Sequence, residues 1–408
     1  MATVLFAWEL GGNLGHFTML LPIARELRRL GYRVVFTLGD LAVLAYCEDD
    51  FDFPVLQSPR WLPRPLGMGD ALAFSDVLPG AGYFSEAGLD VLVTAWQQLF
   101  ALAQADLVVC EHAPTAMLAA HIGHYRAMCI GTGFVCPPVQ VDLPRFATLS
   151  KPQQIQLTAR ERKMLSVCNT VLTGYDKKPF LSLAELYKDI PALLCTYPEL
   201  DHYVHRPSTC PTVRYLGPIY DDVVANDGEW PQKYEKNILV YLNNFVYWER
   251  QIAALSQVKA NILIVALGLS PNDALEQQPD HIKLIVAPIA LQPMLALANL
   301  VICHGGHGTV AAALLAGKPA LIWPTQKEQG LMALRIKSQG LGNYSDVSRM
   351  TTEAITAQIE SLLEEPAAHQ AAQAFAKKYS NNTVATTVHN TAMRIVDFLN
   401  AKSIPLTE

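Results

Sequence analysis

The fold of this chain is decided by residues 299–323, which read NLVICHGGHGTVAAALLAGKPALIW. The opening residues of this stretch form a short apolar run that predicts a buried strand. Residues 310–316 are strong helix formers, and Gly317 and Pro319 mark the end of that helix. Residues 320–323 predict the next strand. A strand, a helix and a strand in this order are typical of a parallel α/β sheet.

A glycine-rich turn separates that strand from the helix. Its residues are His304, Gly305, Gly306, His307, Gly308 and Thr309, and we expect Thr309 to cap the helix. Such a turn presents backbone N–H groups and the positive end of the helix dipole, which favour a phosphate or diphosphate. A polar cluster at 325–329 follows the neighbouring strand, where ligands of open α/β sheets bind. The turn therefore predicts an anion site, and close packing is the alternative explanation for its glycines.

Length and composition indicate a globular protein of two domains. The chain has 408 residues, of which 51% are hydrophobic and 17% are charged, and its formal net charge is −6. This charge, without a basic stripe, argues against a nucleic-acid partner. The eight cysteines form no Cys-x-x-Cys pair, which predicts reduced thiols in a cytoplasmic protein. We expect no signal peptide and no membrane span, while the apolar content leaves loose membrane contact open.

The amino-terminal residues repeat the pattern of strand, glycine-rich turn and helix. Residues 3–8 predict a strand, and residues 11–16 form the turn before an amphipathic helix at 20–30. His16 ends this turn, and a histidine there can act as a general base near neutral pH. Taken alone, His16 is better explained by a role in capping the helix.

Glu111 is the candidate partner of His16. It ends an apolar strand at 106–110, and strand ends of a parallel sheet lie at the same edge. A carboxylate within reach of the other imidazole nitrogen would fix the tautomer and stabilise the imidazolium. His112, the next residue, is the competing candidate and is explained equally well as a loop histidine.

Two further motifs have better structural explanations. The turn at 11–15 lacks the dinucleotide fingerprint Gly-x-Gly-x-x-Gly, because Leu10 stands where the first glycine belongs. Asp50 and Asp52 have the spacing of a metal-bridging pair and follow the acidic residues 48–49. A solvated acidic loop accounts for them better, because Mg²⁺ sites need convergent ligands and phosphates. We therefore expect no metal site.

The alternation of strands and helices predicts the domain boundaries. We expect domains at 1–217 and 237–384, a polar linker at 218–236, and a terminal helix at 385–408 that packs on the first domain. Two α/β halves imply a cleft between them, which is a favoured place for ligands. Two segments, 58–90 and 133–150, are rich in proline and aromatic residues. Such segments either line a pocket or pack on the domain surface, and we expect these two to shape a pocket.

The sequence resembles the UDP-glycosyltransferases, which include the UDP-glucuronosyltransferases and antibiotic glycosyltransferases. The matching positions are Gly15-His16, 21–27, Gly31, His304-Gly305-Gly306, Thr309, 313–314, Gly317-Lys318-Pro319, Pro324 and Glu328-Gln329. The resemblance implies the GT-B fold, in which two Rossmann-like domains with parallel sheets face each other across the active cleft.

The resemblance also implies roles for individual residues. His16 matches the catalytic base that deprotonates an acceptor hydroxyl, and Glu111 stands where the family has an aspartate that orients this histidine. His304 and residues 305–309 match the diphosphate site, and Glu328 with Gln329 matches an Asp-Gln pair that holds sugar hydroxyls. The remaining positions assigned to the donor site are Gly15, Asn243 and Ile289.

Some donor-site positions depart from the family pattern. Ile289 lies where the family has a Trp-x-Pro-Gln motif, and Asn243 replaces a Gly-Ser or Gly-Thr turn. Ala312 stands in place of a ribose-binding glutamate.

The implied activity is an inverting, metal-independent glycosyl transfer in natural-product biosynthesis, with the nucleotide sugar as the donor substrate and no other cofactor. UDP is the expected nucleotide and dTDP the alternative. The acceptor is a small apolar or lipid-like molecule with a hydroxyl group. The alternatives are a non-catalytic relative that binds or activates another protein, and a nucleotide-sugar epimerase.

Overall fold

The computed structural model describes most of the chain. The described residues are 1–12, 14–47, 51–63, 69–204, 206, 213–220, 228–243, 245–269 and 279–401. Parts of several predicted features lie outside them, namely the acidic residues 48–50, residues 64–68 of the first proline-rich segment, linker residues 221–227, Asn244 and the terminal residues 402–408.

The chain divides into two compact units. The first consists of Met1–Tyr197, Tyr203–Ile219 and Val384–Glu408, and the second of Pro198–His202 and Tyr220–Thr383. The segment Pro198–His202 thus belongs to the second unit, although the predicted boundary placed it in the first domain.

Each unit contains one parallel sheet. The strands of the first are Thr3–Trp8 (β1), Arg33–Leu38 (β2), Val55–Gln57 (β3), Leu107–Glu111 (β4), Ala127–Gly131 (β5), Ala192–Leu194 (β6) and Val213–Tyr215 (β7), and those of the second are Asn237–Leu242 (β8), Asn261–Ala266 (β9), Ile282–Ile285 (β10), Leu300–Cys303 (β11), Ala320–Ile322 (β12) and Gly342–Tyr344 (β13). The orders are β3-β2-β1-β4-β5-β6-β7 and β10-β9-β8-β11-β12-β13. This confirms the α/β fold class with two parallel sheets.

Helices connect the strands in both units. Their bounds are Leu14–Arg29 (α1), Glu86–Ala103 (α2), Pro114–Gly123 (α3), Lys151–Gly174 (α4), Trp248–Leu255 (α5), Leu291–Leu297 (α6), His307–Leu315 (α7), Lys327–Ser338 (α8), Thr352–Glu364 (α9), Pro366–Lys378 (α10) and Val384–Asn400 (α11). The 3-10 helices of the described residues cover Leu41–Tyr46, Phe74–Ala81, Leu183–Tyr187 and Pro198–Leu200.

The first sheet is covered on both faces, as a parallel sheet requires. Val4, Phe6 and Trp8 of β1 belong to a core cluster that includes residues from α1 and α11. Leu5 and Ala7, whose side chains alternate with these, are also fully buried. The continuous apolar sequence of β1 follows from this burial, because neither face of the strand meets solvent.

The terminal helix α11 packs within the first unit. Its Val388 and Ile395 join the core cluster beside α1. The His389 Nδ1 donates to Glu26 Oε1 of α1 at 2.7 Å, and Thr387 Oγ1 donates to the Leu216 carbonyl at 3.3 Å. An apolar stripe and a few polar contacts therefore attach the last helix to the first one.

The core of the second unit lies on both faces of its sheet. Ile238, Val240 and Leu242 of β8 face one cluster with α5 and α9, and Leu239 faces the other cluster with α6 and α7. The glycine-rich turn of this unit thus rests on a buried central strand pair, because β8 and β11 are neighbours.

The described residues give further negative findings. No helix among them is both long and apolar enough to cross a bilayer. The seven cysteines of the described ranges are free thiols, and six of them are buried. No cluster of three or more potential metal ligands occurs in this part of the chain. Asp52, from the acidic loop, pairs instead with Arg28, which holds the pKa of its carboxyl below the usual value.

The carboxyl group of Glu9 is buried against the first turn of α3. Its Oε2 accepts a hydrogen bond from the Thr115 N–H at 2.8 Å. Burial raises the pKa of Glu9 from 4.5 to about 7, and the hydrogen bonds from Thr115 oppose only part of this rise. The folded protein therefore binds this proton more tightly than the unfolded chain. The corresponding stabilisation is complete below pH 4.5 and is lost as the pH rises to about 7.

We expect the Glu9→Gln substitution to remove this pH dependence. Above pH 7 the variant should exceed the wild type in free energy of unfolding by up to about 3 kcal/mol, because a tenfold change in proton affinity corresponds to about 1.4 kcal/mol. Urea unfolding from pH 4.5 to above pH 7 measures the difference.

Glu229→Gln is the matched control for this experiment. The hydrogen bond from Lys283 holds the pKa of the exposed Glu229 carboxyl below its usual value, so this group keeps its charge over most of that range. The control should keep the slope of stability against pH that the wild type shows. If Glu9→Gln also keeps that slope, the buried carboxyl is not its source.

Candidate functional site

The first candidate site lies at the carboxyl end of the sheet in the first unit. β1 and β4 are neighbouring parallel strands, and Trp8 at the end of β1 is in register with Glu111 at the end of β4. α1 begins at Leu14, shortly after β1, and carries His16 in its first turn. The pairing of β1 with β4 therefore brings together two residues that are distant in sequence.

His16 and Glu111 form a close pair. The Nδ1 atom of His16 lies 2.8 Å from both carboxylate oxygens of Glu111. The side chain of Glu111 is 3% exposed and that of His16 is 18% exposed. Because an ionised carboxylate only accepts hydrogen bonds, Nδ1 carries the proton and the neutral ring has its lone pair on Nε2. This is the arrangement of a general base with an orienting carboxylate.

Two neighbours of His16 fix the position of its ring. The indole of Trp8 stacks on the imidazole, with ring centroids 5.2 Å apart and planes inclined by 22°. Trp8 is itself held by a hydrogen bond of 2.7 Å from Nε1 to the Leu10 carbonyl. Gly11 has a φ of +86°, and a Cβ at this position would lie 2.4 Å from His16 Nε2. The backbone conformation and the imidazole therefore both require glycine there.

The two proline-rich segments meet beside this pair. The Phe74 N–H of the first segment donates to the Pro144 carbonyl of the second at 2.8 Å. The rings of Phe74 and Phe134 are 5.6 Å apart, and they lie 6.4 and 6.1 Å from the ring of His112. The His112 ring is 6.0 Å from that of His16. The segments thus place apolar rings close to the candidate base, and their role as an acceptor pocket stays a prediction.

The second candidate site is the glycine-rich turn of the second unit. Residues 304–306 join β11 to α7, and Gly306 is the N-cap of that helix. The Val310 N–H donates to the Gly306 carbonyl at 3.1 Å, so helical hydrogen bonding begins before Thr309. The prediction that Thr309 caps the helix is therefore wrong, and Thr309 lies with Gly308 in the first turn. The N–H groups of this turn point out of the helix end, where they favour an anion.

The two histidines of the turn differ in their surroundings. His304 Nδ1 donates to the Trp323 carbonyl at 2.9 Å, which fixes the tautomer and assigns any ligand contact to Nε2. Burial, together with the neighbouring His202, lowers the pKa of His307 to about 3. His307 is therefore neutral at physiological pH, and a contact from it to a phosphate would be a neutral hydrogen bond.

The polar residues after β12 lie next to the turn. A Cβ at Gly305 would lie 3.3 Å from the Gln329 carbonyl oxygen. Gln329 Oε1 accepts hydrogen bonds from the N–H and the hydroxyl of Thr325 at 2.8 and 3.0 Å, so a ligand contact of Gln329 would use its NH₂ group. Glu328 is 31% exposed, and its Oε1 lies 3.9 Å from Nε2 of the buried His202. The parallel pairing of β11 with β12 thus brings together both parts of the predicted donor site.

The other predicted donor-site residues have different surroundings. Ile289 is 6% exposed and packs in the core with Leu263 and Met294, so its side chain is enclosed. Asn243 is exposed and follows β8, the neighbour of β11. Gly15 belongs to the first unit, where it is exposed in the first turn of α1. Asn243 and Ile289 follow β8 and β10 at the sheet edge that carries the turn, but of these two residues only Asn243 is exposed.

The second half of the chain matches a known domain family. Residues 249–395 match the model of the erythromycin biosynthesis protein CIII-like C-terminal domain. The matched residues begin in the second unit and end in α11.

Two curated relatives of the chain are glycosyltransferases. The chain is 37% identical over 89 residues to UDP-sugar-dependent glycosyltransferase 52 of Dictyostelium discoideum, which covers 22% of this chain and 5% of that protein. It is 32% identical over 127 residues to the elloramycin glycosyltransferase ElmGT of Streptomyces olivaceus, which covers 31% of this chain and 30% of that protein. The chain thus spans less than a third of the length of either relative.

Solved structures match nearly the whole chain. The glycotransferase of kitacinnamycin has a TM-score of 0.71 at 14% identity and covers 97% of this chain and 98% of its own. The glycosyltransferase VinC in complex with dTDP has a TM-score of 0.65 at 15% identity and covers 98% and 99%. The predicted resemblance and the GT-B fold are thereby confirmed.

Sequence reasoning missed three residues around the two sites. Trp8 precedes a glycine-rich turn, and this position at a strand end was a usable signal for a ring beside His16. Gly11 was read only as part of the turn. His202 lies in the segment Pro198–His202 and is close to Glu328, which is more than a hundred residues away in sequence. No local sequence pattern predicts this contact. The contact of His202 with Glu328 within the second unit is visible only in three dimensions.

Proposed function

We propose that the protein transfers a sugar from a nucleoside diphosphate sugar to a hydroxyl group of a small apolar acceptor. The observation that carries this proposal is the His16–Glu111 pair, in which Nδ1 is 2.8 Å from both carboxylate oxygens. Such a pair leaves Nε2 to accept the hydroxyl proton while the oxygen attacks the anomeric carbon. The names of the two curated relatives support a glycosyl transfer reaction.

The acceptor half of the reaction is assigned to the first unit. Nε2 takes the proton as the new glycosidic bond forms, and Glu111 stabilises the imidazolium that results. Trp8 adds to this stabilisation, because the face of an indole attracts a cation. A single displacement of the diphosphate inverts the anomeric carbon, so we propose an inverting mechanism.

The donor half is assigned to the turn of the second unit. The first-turn N–H groups of α7 and Nε2 of His304 are placed to stabilise the negative charge that grows on the leaving diphosphate. Because these groups would stabilise the charge of the leaving diphosphate without a metal ion, we propose a metal-independent reaction. Glu328 and the NH₂ group of Gln329 are proposed to bind sugar hydroxyls.

The nucleotide of the donor is proposed to be UDP or dTDP. One curated relative is named as UDP-sugar-dependent, and VinC was solved with dTDP. The acceptor is proposed to be an apolar natural product, because Phe74 and Phe134 lie beside the His16 site and ElmGT is named for elloramycin. A cytoplasmic location stays a prediction.

A thermal-shift screen tests the donor assignment. UDP, dTDP and their sugars are each added to the full chain, and we expect one nucleotide series to raise the Tm. A ligand at a hundred times its Kd stabilises a protein by about 2.7 kcal/mol, which is readily measured. Stabilisation by neither nucleotide would contradict the proposal.

One observation supports the alternative that the protein is a non-catalytic relative. Ala312 and Ile289, which stand at nucleotide-contact positions of the family, are both buried in the core. A non-catalytic relative would bind no donor, or bind one without turnover in the presence of any acceptor. An epimerase would convert the donor without an acceptor, which NMR of the sugar distinguishes.

A further inference from the structure

His112 has an unusual position next to the His16–Glu111 pair. It directly follows β4, and its φ is +45°, a conformation that few side chains adopt but histidine tolerates better than most. Its carbonyl accepts a hydrogen bond of 3.0 Å from the Leu10 N–H, in the turn that leads to His16. The backbone at His112 is thus tied to the loop that carries the candidate base.

The imidazole of His112 is enclosed but unsatisfied. Neither Nδ1 nor Nε2 has a hydrogen-bond partner among the described residues, and both atoms are shielded from solvent. The neighbours of the ring are aromatic, namely Phe74, Phe134 and the ring of His16. Leaving a buried polar group without a partner costs about 1–3 kcal/mol. Two such atoms in one ring therefore indicate that a ligand supplies the missing partner.

The chemistry of this ring suits binding better than proton transfer. Burial and, as a smaller effect, the proximity of His16 together lower the pKa of His112 to about 3. The ring is therefore neutral at physiological pH, with one nitrogen that donates and one that accepts. A base this weak cannot compete with His16 for the acceptor proton, but its two nitrogens match a hydroxyl or carbonyl oxygen.

We propose that His112 is an acceptor-binding residue that hydrogen-bonds a second oxygen of the acceptor, while His16 takes the proton from the first. The acceptor class is thus an apolar ring system with two oxygen substituents, rather than a simple alcohol. The two imidazoles bind the oxygens, and Phe74 and Phe134, which are 0% and 6% exposed, pack against the His112 ring and hold it in place. This inference rests on the proposed function, because the first oxygen is the nucleophile of the transfer.

The test compares ligands that differ by one hydroxyl group. A naphthol and the dihydroxynaphthalenes that add one hydroxyl to it are titrated into the full chain by calorimetry, without donor. We expect at least one dihydroxynaphthalene to bind about tenfold more tightly than the naphthol, as one hydrogen bond to a buried unpaired group allows. This preference for the second hydroxyl requires both partners of the hydrogen bond. Removal of the His112 imidazole should therefore abolish it.

Three variants separate binding from packing. His112→Phe and His112→Ala should bind the naphthol and the dihydroxynaphthalenes equally, and two variants are used because phenylalanine is strained at this φ. His112→Asn tolerates the conformation and retains both a donor and an acceptor, so it should keep part of the preference. A residue that serves only packing would leave the ratio of affinities unchanged in all three.

The outcomes distinguish this inference from the proposed function. The inference is overturned if the wild type binds the naphthol and all the dihydroxynaphthalenes with equal affinity. It is also overturned if His112→Phe and His112→Ala still bind a dihydroxynaphthalene more tightly than the naphthol. Transfer is measured separately as release of nucleoside diphosphate from the donor found in the thermal-shift screen. Absence of transfer would overturn the proposed function, and the ratio of binding affinities would still report on His112.

Discussion

Replacing His16 by alanine is expected to lower kcat by about 10²- to 10⁴-fold, the range that general-base catalysis contributes. The Kd for the nucleotide sugar should not change, because the donor site is built by the second unit. The assay is release of nucleoside diphosphate in the presence of an acceptor, with donor affinity measured by calorimetry. A His16→Ala enzyme with wild-type turnover would show that another group removes the proton.

His389→Ala is the matched control for this prediction. His389 also donates from Nδ1 to a carboxylate, Glu26, at 2.7 Å, but it lies half exposed on α11. Loss of this pair should leave kcat unchanged. The control separates the effect of the His16 site from the general effect of breaking a histidine–carboxylate pair.

Glu111→Gln tests whether Glu111 acts through His16. The glutamine carbonyl can accept from Nδ1 but does not stabilise the imidazolium as a charge does, so kcat should fall by a smaller factor than in His16→Ala. The double variant His16→Ala/Glu111→Gln should be no slower than His16→Ala, because residues that act as a unit have non-additive effects. Additive losses would mean that Glu111 has a role independent of His16.

The sequence predicted the main features of the first site because they follow from the position of both residues at strand ends. His16 and Glu111 both lie at carboxyl ends of strands, and in a parallel sheet those ends share one edge. The sequence did not reveal that β1 and β4 are adjacent. This adjacency brings His16 Nδ1 to within 2.8 Å of the Glu111 carboxylate. Nor did the sequence reveal the stacking of Trp8, which depends on the rotamers of both side chains.

The proposed donor site was predictable to a different extent. The turn 304–309 and the residues after β12 are local patterns, and the structure places them side by side as expected for neighbouring strands. The burial of the Ile289 side chain and the position of Thr309 within α7 depend on details that the sequence does not show. The direction of a side chain decides that Ile289 enters the core, and one turn of helical hydrogen bonding decides that Thr309 is not the cap.

Elements that break simple periodicity were the hardest to predict. No helix was assigned to residues 91–105, although α2 spans Glu86–Ala103. The buried residues of α2 do recur at helical spacing, but the exposed apolar residues Val91 and Leu102 obscure this stripe in the sequence. Pro198–His202 joins the second unit although the chain on both sides of it belongs to the first. Such a short excursion has no signature in composition or hydrophobic pattern.

Gly305→Ala is expected to damage both the stability of the second unit and its affinity for nucleotide. Gly305 has a φ of +96°, and a Cβ there would lie 2.8 Å from Ile322 Cγ2 and 3.3 Å from the Gln329 carbonyl oxygen. The strained backbone and the contact with a buried β12 side chain should together destabilise the protein by about 2–4 kcal/mol. Urea unfolding measures this loss.

Relief of the clash would also displace the turn, and this is where stability and function are linked. The N–H groups at the start of α7 bind an anion only if the turn before them keeps its direction, so the Kd for the nucleotide should rise at least about tenfold. Gly306→Ala is the contrasting variant, because Gly306 has a φ of −59° and open space around its Cβ position. Its free energy of unfolding should stay within about 0.5 kcal/mol of the wild type. If Gly305→Ala behaved like Gly306→Ala in unfolding and kept wild-type nucleotide affinity, the turn would not be the diphosphate site.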